Sequence, residues 1–240
     1  MPGGVAPCQL PRHHRDGETD GGSPAARPTV RALADALRAL LDELDVRGAL
    51  LVGWSMGAMV AWRTLLDGAD GRVAGLVVVD MSPRLCNDAG WPWGLRGAVQ
   101  ARGPQAVRML ATDWAAFAPR IARRIFAAGS LRADLRRWVE EQVAACDADA
   151  MAALWLDLLA QDFRAELPAL RLPTLIVRGA LSQLYPAGTA GWLAATLPHA
   201  RQVSFAASGH APHLEEPARF NEIITGFAAG LPTRVGNGGQ

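Results

Sequence analysis

The stretch "ALLVGWSMGAMVAW" (49–62) constrains this chain more than any other. Ala49 to Gly53 is short and wholly apolar, which suits a strand buried on both faces of a parallel sheet. Residues 55 to 67 read as a helix. At the junction, Gly53-Trp54-Ser55-Met56-Gly57 has the form G-x-S-x-G. A nucleophilic serine must stand clear of the backbone, so the strand-to-helix turn has to be sharp. Glycines two before and two after the serine are expected where side chains would collide. The amide of Met56, at the helix N-terminus, would then face an oxyanion developing beside Ser55.

The rest of the chain alternates in the same way. "TVRALADALRALLDELDVRG" sets Leu33, Leu37, Leu40, Leu41 and Leu44 at helical spacing, with Thr29 as N-cap and Gly48 as the stop. "RVAGLVVVD" (72–80), "PTLIVRG" (173–179) and "ARQVSFA" (200–206) read as strands. Residues 187–197 and 216–230 read as helices. Alternation of this kind predicts an α/β fold with a mostly parallel sheet. The expected organisation is an irregular segment over 1–28, a core over 29–82 and 171–232, and a helical cap inserted over 83–170. Trp91, Trp93, Trp114, Trp138 and Trp155 all fall in that insertion.

Composition excludes several function classes. The net charge is +1, so no field points to a nucleic acid or a membrane surface. All 24 basic residues are Arg, which removes lysine Schiff-base chemistry and the phosphate-loop lysine together. Cys8, Cys86 and Cys146 lack both metal-site spacing and a disulfide framework, so a reducing, cytoplasmic setting is expected, with no metal. The first residues have no apolar core of a signal peptide, and no uncharged run approaches the roughly 18 residues that span a bilayer.

A serine nucleophile needs a base. His210, in "ASGHAPHLEEPARF" just after the last strand, is placed to supply it; His213, three residues on, is the rival. With these stretches on the page, the chain resembles the α/β-hydrolase superfamily, in its small esterase-like branch with a helical cap. The likeness covers about residues 29–230 and rests on "LLVGWSMGAMVAW", "VVVDMSP", "LPTLIVRGALSQLYP" and "SGHAPHLEEPARF". It implies Ser55 as nucleophile and His210 as base.

Two departures stand out. Many members carry the triad acid in the loop after the strand matching "PTLIVRG", where this chain has Ser182. A hydroxyl can orient an imidazole but cannot balance its positive charge. Some members take the acid from the tip of the preceding strand. Here that is Asp80, one helix and one strand after Ser55; Asp157 and Asp162, placed in the last cap helix, are lesser candidates. Second, only 48 residues precede Ala49, and a helix fills most of 29–47. The first three strands of the family and its second oxyanion loop are therefore expected to be absent, with Val5–Leu10 supplying one short strand at most. A late start, a truncated paralogue or a partner that fills the gap would each account for this. An uncovered edge of the elbow strand would invite self-association.

The resemblance implies hydrolysis of a small carboxylic ester or thioester through a Ser-His-Asp triad and an acyl-enzyme, with no cofactor. Trp54, Trp91 and Trp93 are the residues expected to contact substrate, although tryptophans at such spacing also serve as packing. The cap arginines (Arg120, Arg123, Arg124, Arg132, Arg136, Arg137) suit either an anionic substrate or a solvated face. Dehalogenase and epoxide-hydrolase chemistry is not expected, because the resemblance implies that those members need Asp at the place of Ser55. Haloperoxidase-like and carbon–carbon hydrolases share the triad and stay open. The contrasting reading is an impaired or non-catalytic binding protein of the same fold.

Overall fold

The computed structural model describes residues 27–69, 71–97, 112–129 and 133–232. The expected Val5–Leu10 strand and Cys8 lie outside them, as does Arg132.

Four parallel strands form one sheet in the order β1 (Ala49–Trp54), β2 (Val73–Val79), β3 (Thr174–Gly179) and β4 (Ala200–Phe205). Every residue of β2 is buried, whereas β1 has one buried residue, Gly53, and exposes Val52. Among the described residues β1 pairs only with β2, through Leu50↔Gly75 to Trp54↔Val79.

Alternation along the strands splits the core into two layers. Leu76, Val78 and Ile176 pack with α1 (Val30–Glu43), α2 (Met56–Thr64) and α6 (Ala187–Thr196). Val77, Val79, Leu175 and Val177 point the other way, against Phe220 and Phe227 of α8 (Pro217–Ala229). The three-layer arrangement puts all four strand C-termini on one rim, where ligand sites of open α/β sheets lie.

Helix α1 starts at Thr29 as expected, with its Oγ1 accepting from Ala32 N at 3.0 Å. It ends earlier than Gly48. Asp45 turns to φ 42°, its amide reaching Asp42 O at 3.1 Å and that of Val46 reaching Leu41 O at 3.0 Å. This pairing closes the last turn without a glycine, since Asp tolerates the left-handed conformation. The buried stripe is Val30, Ala34 and Leu41, whereas Leu40 and Leu44 are exposed.

The described residues of the insertion hold α3 (Trp114–Ile125), α4 (Ala133–Ala144) and α5 (Ala148–Ala160), with isolated bridges at Arg84↔Asp162 and Asp88↔Trp91. Its entry and exit meet where Phe163 N donates to Pro83 O at 3.1 Å. One cluster joins Ala122, Ile125, Phe126 and Val139 of this insertion to Ala211, beyond the last strand. A short helix α7 (Pro212–Glu215) follows there.

Candidate active site

Ser55 sits between β1 and α2 with φ 52° and ψ −126°, a strained region for a residue with a side chain. Its amide is held by Val79 O at 3.0 Å, and its hydroxyl takes no part in capping the helix. The two motif glycines have different duties. A Cβ on Gly53 would lie 2.6 Å from Ala58 Cα and from Gly57 O, so only glycine fits. A Cβ on Gly57 would meet nothing within 4 Å. The expectation that both flanking positions exclude side chains therefore holds for Gly53 alone, because the chain has already turned away into the helix at Gly57. Met56 is the first residue of α2, and the leading amides of a helix have no intrahelical acceptor.

The neighbouring strand ends in the same manner. Asp80, directly after β2, has φ 46°, and its amide is bonded to Val177 O at 2.8 Å. Its carboxylate Oδ2 lies 2.7 Å from His210 Nδ1. Both side chains are buried, at 4% and 3% exposure, which removes the water that would otherwise compete for this bond. Ser182, at the place where many relatives carry the acid, donates its hydroxyl to the same Asp80 oxygen at 2.7 Å. The two other acids weighed from the sequence are engaged elsewhere. Asp157 accepts from the α1 amide of Val30 at 2.8 Å, and Asp162, past the end of α5 rather than in it, pairs with Arg164 at 2.6 Å.

The loop around His210 is fastened from several sides. His210 N donates to Ile125 O of the insertion at 2.7 Å, and Trp54 Nε1 donates to His210 O at 2.7 Å. Glu215 accepts from Gly209 N at 2.6 Å and from Ala127 N at 2.8 Å, so one carboxylate spans the histidine loop and the insertion. Glu216 accepts from Ser208 Oγ and Ala207 N. A Cβ on Gly179 would fall 1.8 Å from Gly209 O, so the turn after β3 and the histidine loop cross backbone against backbone. Neither glutamate was singled out from the sequence; two carboxylates following "SGH", a run rich in backbone donors, are the available signal.

His213 is in a different position. Its ring packs against Trp54 with centroids 4.8 Å apart, and its Nδ1 has no partner. Burial, with nearby His210 adding to it, pushes its pKa down to about 4. It is thus neutral near pH 7 and has no carboxylate to orient it, unlike His210.

The tryptophans expected at substrate are mostly occupied. Trp54 stands half-buried between His210 and His213, its N–H spent on the loop. Trp91 is 1% exposed, donates to Arg84 O at 3.0 Å and meets Trp93 and Trp192 edge-on. Trp93 lies over Gly188, where a Cβ would meet its Nε1 at 2.3 Å. The Trp91 ring is enclosed, and the segment packs on α6 through Trp192 and Gly188.

A parallel sheet carrying a strained serine at one strand tip and an acid–histidine pair beside it defines a hydrolase-type α/β protein. The model of the alpha/beta hydrolase fold matches residues 17–217, and the chain belongs to that family. Among similar proteins is a pimeloyl-[acyl-carrier protein] methyl ester esterase of Aromatoleum aromaticum, 35% identical over 209 residues, which are 82% of this chain and 79% of that one. An enzyme of the same name from Aeromonas hydrophila is 36% identical over 203 residues, 81% of this chain and 74% of the other. Among solved structures, an esterase from Exiguobacterium antarcticum superposes with a TM-score of 0.77 at 22% identity, over 86% of this chain and 76% of that one. The last likeness is one of fold.

No helix among the described residues is long and apolar enough to cross a membrane, and no cluster among them could hold a metal ion.

Proposed function

We propose that the protein hydrolyses carboxylic esters through a covalent acyl-enzyme. The single observation that carries this reading is the buried Asp80–His210 pair at 2.7 Å, on the same strand rim as the Ser55 elbow. Identities of 35% and 36% to named esterases support the ester bond as the target.

His210 removes the Ser55 proton as Oγ attacks the ester carbonyl. The charge that develops on the carbonyl oxygen is met by the Met56 amide at the start of α2. His210 then returns the proton to the departing alkoxide, and an acyl-serine remains. Water, deprotonated by His210, attacks the acyl carbon and releases the acid, restoring Ser55. Asp80 holds the Nδ1 proton and balances the imidazolium charge in both halves. The relatives' names point to a methyl ester on a carrier-borne acyl chain. Exposed Arg120, Arg123, Arg136 and Arg137 on the insertion suit a partner that carries negative charge better than a neutral one. Free, half-buried Cys86 and Cys146 fit a cytoplasmic setting. The outer side of β1, with Val52 exposed, is the face through which copies would associate, to be checked by sedimentation.

A fluorophosphonate probe tests the nucleophile. The expected adduct is on Ser55, absent in Ser55→Ala. Folded protein that takes no label, or takes it elsewhere, would instead favour a non-catalytic binding protein.

A further inference from the structure

The sequence leaves Ser182 unexplained, a hydroxyl at the place of an acid. The geometry points to Ser182 as a positioning residue for Asp80, whose hydroxyl locks the carboxylate oxygen that serves His210. This rests on Asp80 being the triad acid.

Ser182 is 5% exposed, so its hydroxyl has protein partners only. The amides of Leu184 and Tyr185 lie 3.3 Å from its Oγ and can only donate. A hydroxyl has two acceptor positions and one hydrogen. With both acceptor positions taken, the hydrogen goes to Asp80 Oδ2, 2.7 Å away. The direction of this bond therefore follows from its surroundings.

The loop that carries Ser182 is itself fixed. Ser182 N reaches Gly179 O at 3.2 Å, and Arg96 donates to Ser182 O at 3.1 Å. Gln183 Nε2 donates to Phe126 O at 2.7 Å, and Arg124 donates to Gln183 O at 3.2 Å. The hydroxyl is thus held against the carboxylate by both the sheet and the insertion. Asp80 Oδ2 receives two short bonds, one from the base and one from a group that never changes charge.

The other ionisable groups around the pair do not replace it. The Tyr185 hydroxyl donates to Met81 Sδ at 3.1 Å rather than to the carboxylate, and burial followed by the Asp80 charge holds its proton well above the usual phenol range. His213, on the far side of Trp54, stays neutral through burial and the proximity of His210. No other charged side chain is bonded to Asp80 among the described residues.

Removing the hydroxyl has two consequences. The carboxylate loses one of the two bonds that set its angle, so fewer molecules present Oδ2 to the imidazole. The remaining carboxylate is also more basic, because no hydroxyl draws on its charge, and it favours the imidazolium more strongly. The first effect lowers kcat. The second moves the acid limb of the pH–rate profile upward.

The test measures kcat and KM on a short-chain 4-nitrophenyl ester from about pH 5 to about pH 9, for the unaltered protein, Ser182→Ala, Ser182→Cys and Asp80→Asn. Ser182→Ala should lower kcat roughly tenfold with KM unchanged, and shift the acid limb of kcat/KM to higher pH. Ser182→Cys keeps a weak donor of similar size and should fall between the two. An unchanged kcat and limb in Ser182→Ala would overturn the assignment. So would a loss of kcat with an unmoved limb and no recovery in Ser182→Cys, which is the pattern of a merely structural residue. Asp80→Asn separates the underlying reading: if it keeps full turnover, Asp80 is not the acid, whatever Ser182 does.

Discussion

Asp80 and His210 are 6% and 2% exposed and bonded to each other at 2.7 Å, whereas Ser55, Met56 and Gly57 across the site are only half-buried. The Asp80–His210 half is held in large part by side chains: Ser182 on Asp80, Trp54 and Glu215 on the loop of His210. The Ser55 half is held by backbone: a strained Ser55, a glycine that admits no Cβ, and a strand with one described neighbour. The difference teaches that side-chain hydrogen bonds add to backbone packing on one side, where Gly179 and Gly209 also admit no Cβ, while backbone geometry orders the other without them. The two halves should therefore fail differently when altered.

The largest contrast is chemical. Asp80→Asn keeps the shape of the side chain but cannot balance an imidazolium. It is expected to lower kcat on the order of 10⁴-fold while far-UV circular dichroism stays unchanged. On the other half the corresponding break is steric. Gly53→Ala should cost about 3 kcal/mol or more of stability, because the new methyl meets backbone that cannot yield. Gly57→Ala should be neutral or stabilising, by up to about 1 kcal/mol, since alanine favours helix. Urea unfolding of the two variants decides this, and equal losses would show that the motif glycines are equivalent after all.

His213 sharpens the comparison within the Asp80–His210 half. Its folded pKa, about 4, lies below its ordinary value, so between about pH 6.5 and 4 the unfolded chain binds a proton that the folded chain refuses. Stability contributed by the neutral ring is present above that window and is lost as pH falls through it, on the order of 2 kcal/mol. His213→Asn should flatten this part of the stability–pH curve. A smaller effect is expected at Glu215. Glu215→Gln keeps one acceptor but turns an amide group toward either Gly209 N or Ala127 N. A fall in kcat of about fivefold, with faster amide exchange at both positions, is the expected result.

Local patterns made much of this molecule readable. The elbow, the four strands and the His210 loop each announce themselves within a few residues, because strand burial and tight turns restrict composition locally. The place of Asp80 at the tip of the next strand was reachable by counting one helix and one strand onward from Ser55. What could not be read was pairing across distance. Nothing near Ser182 says that its hydroxyl meets a residue 102 positions earlier in the chain. Glu215, in "PHLEEP", reads as an ordinary helical acid, because its two amide partners are backbone groups and leave no mark on composition. The burial of Trp91 was hidden for a related reason: a break in helix pattern marks a turn, but not which surface that turn covers.

The crossing of Gly179 with Gly209 bears on how such a chain can drift over generations. A side chain on Gly179 would strike the Ser208 and Gly209 carbonyls, and one on Gly209 would strike the backbone of Phe126 and Ala127. Substitution at either glycine would therefore shift the loop that carries His210. The placement of the histidine is therefore inherited through a pair of residues that do no chemistry, and this pair should be among the slowest positions in the lineage to change.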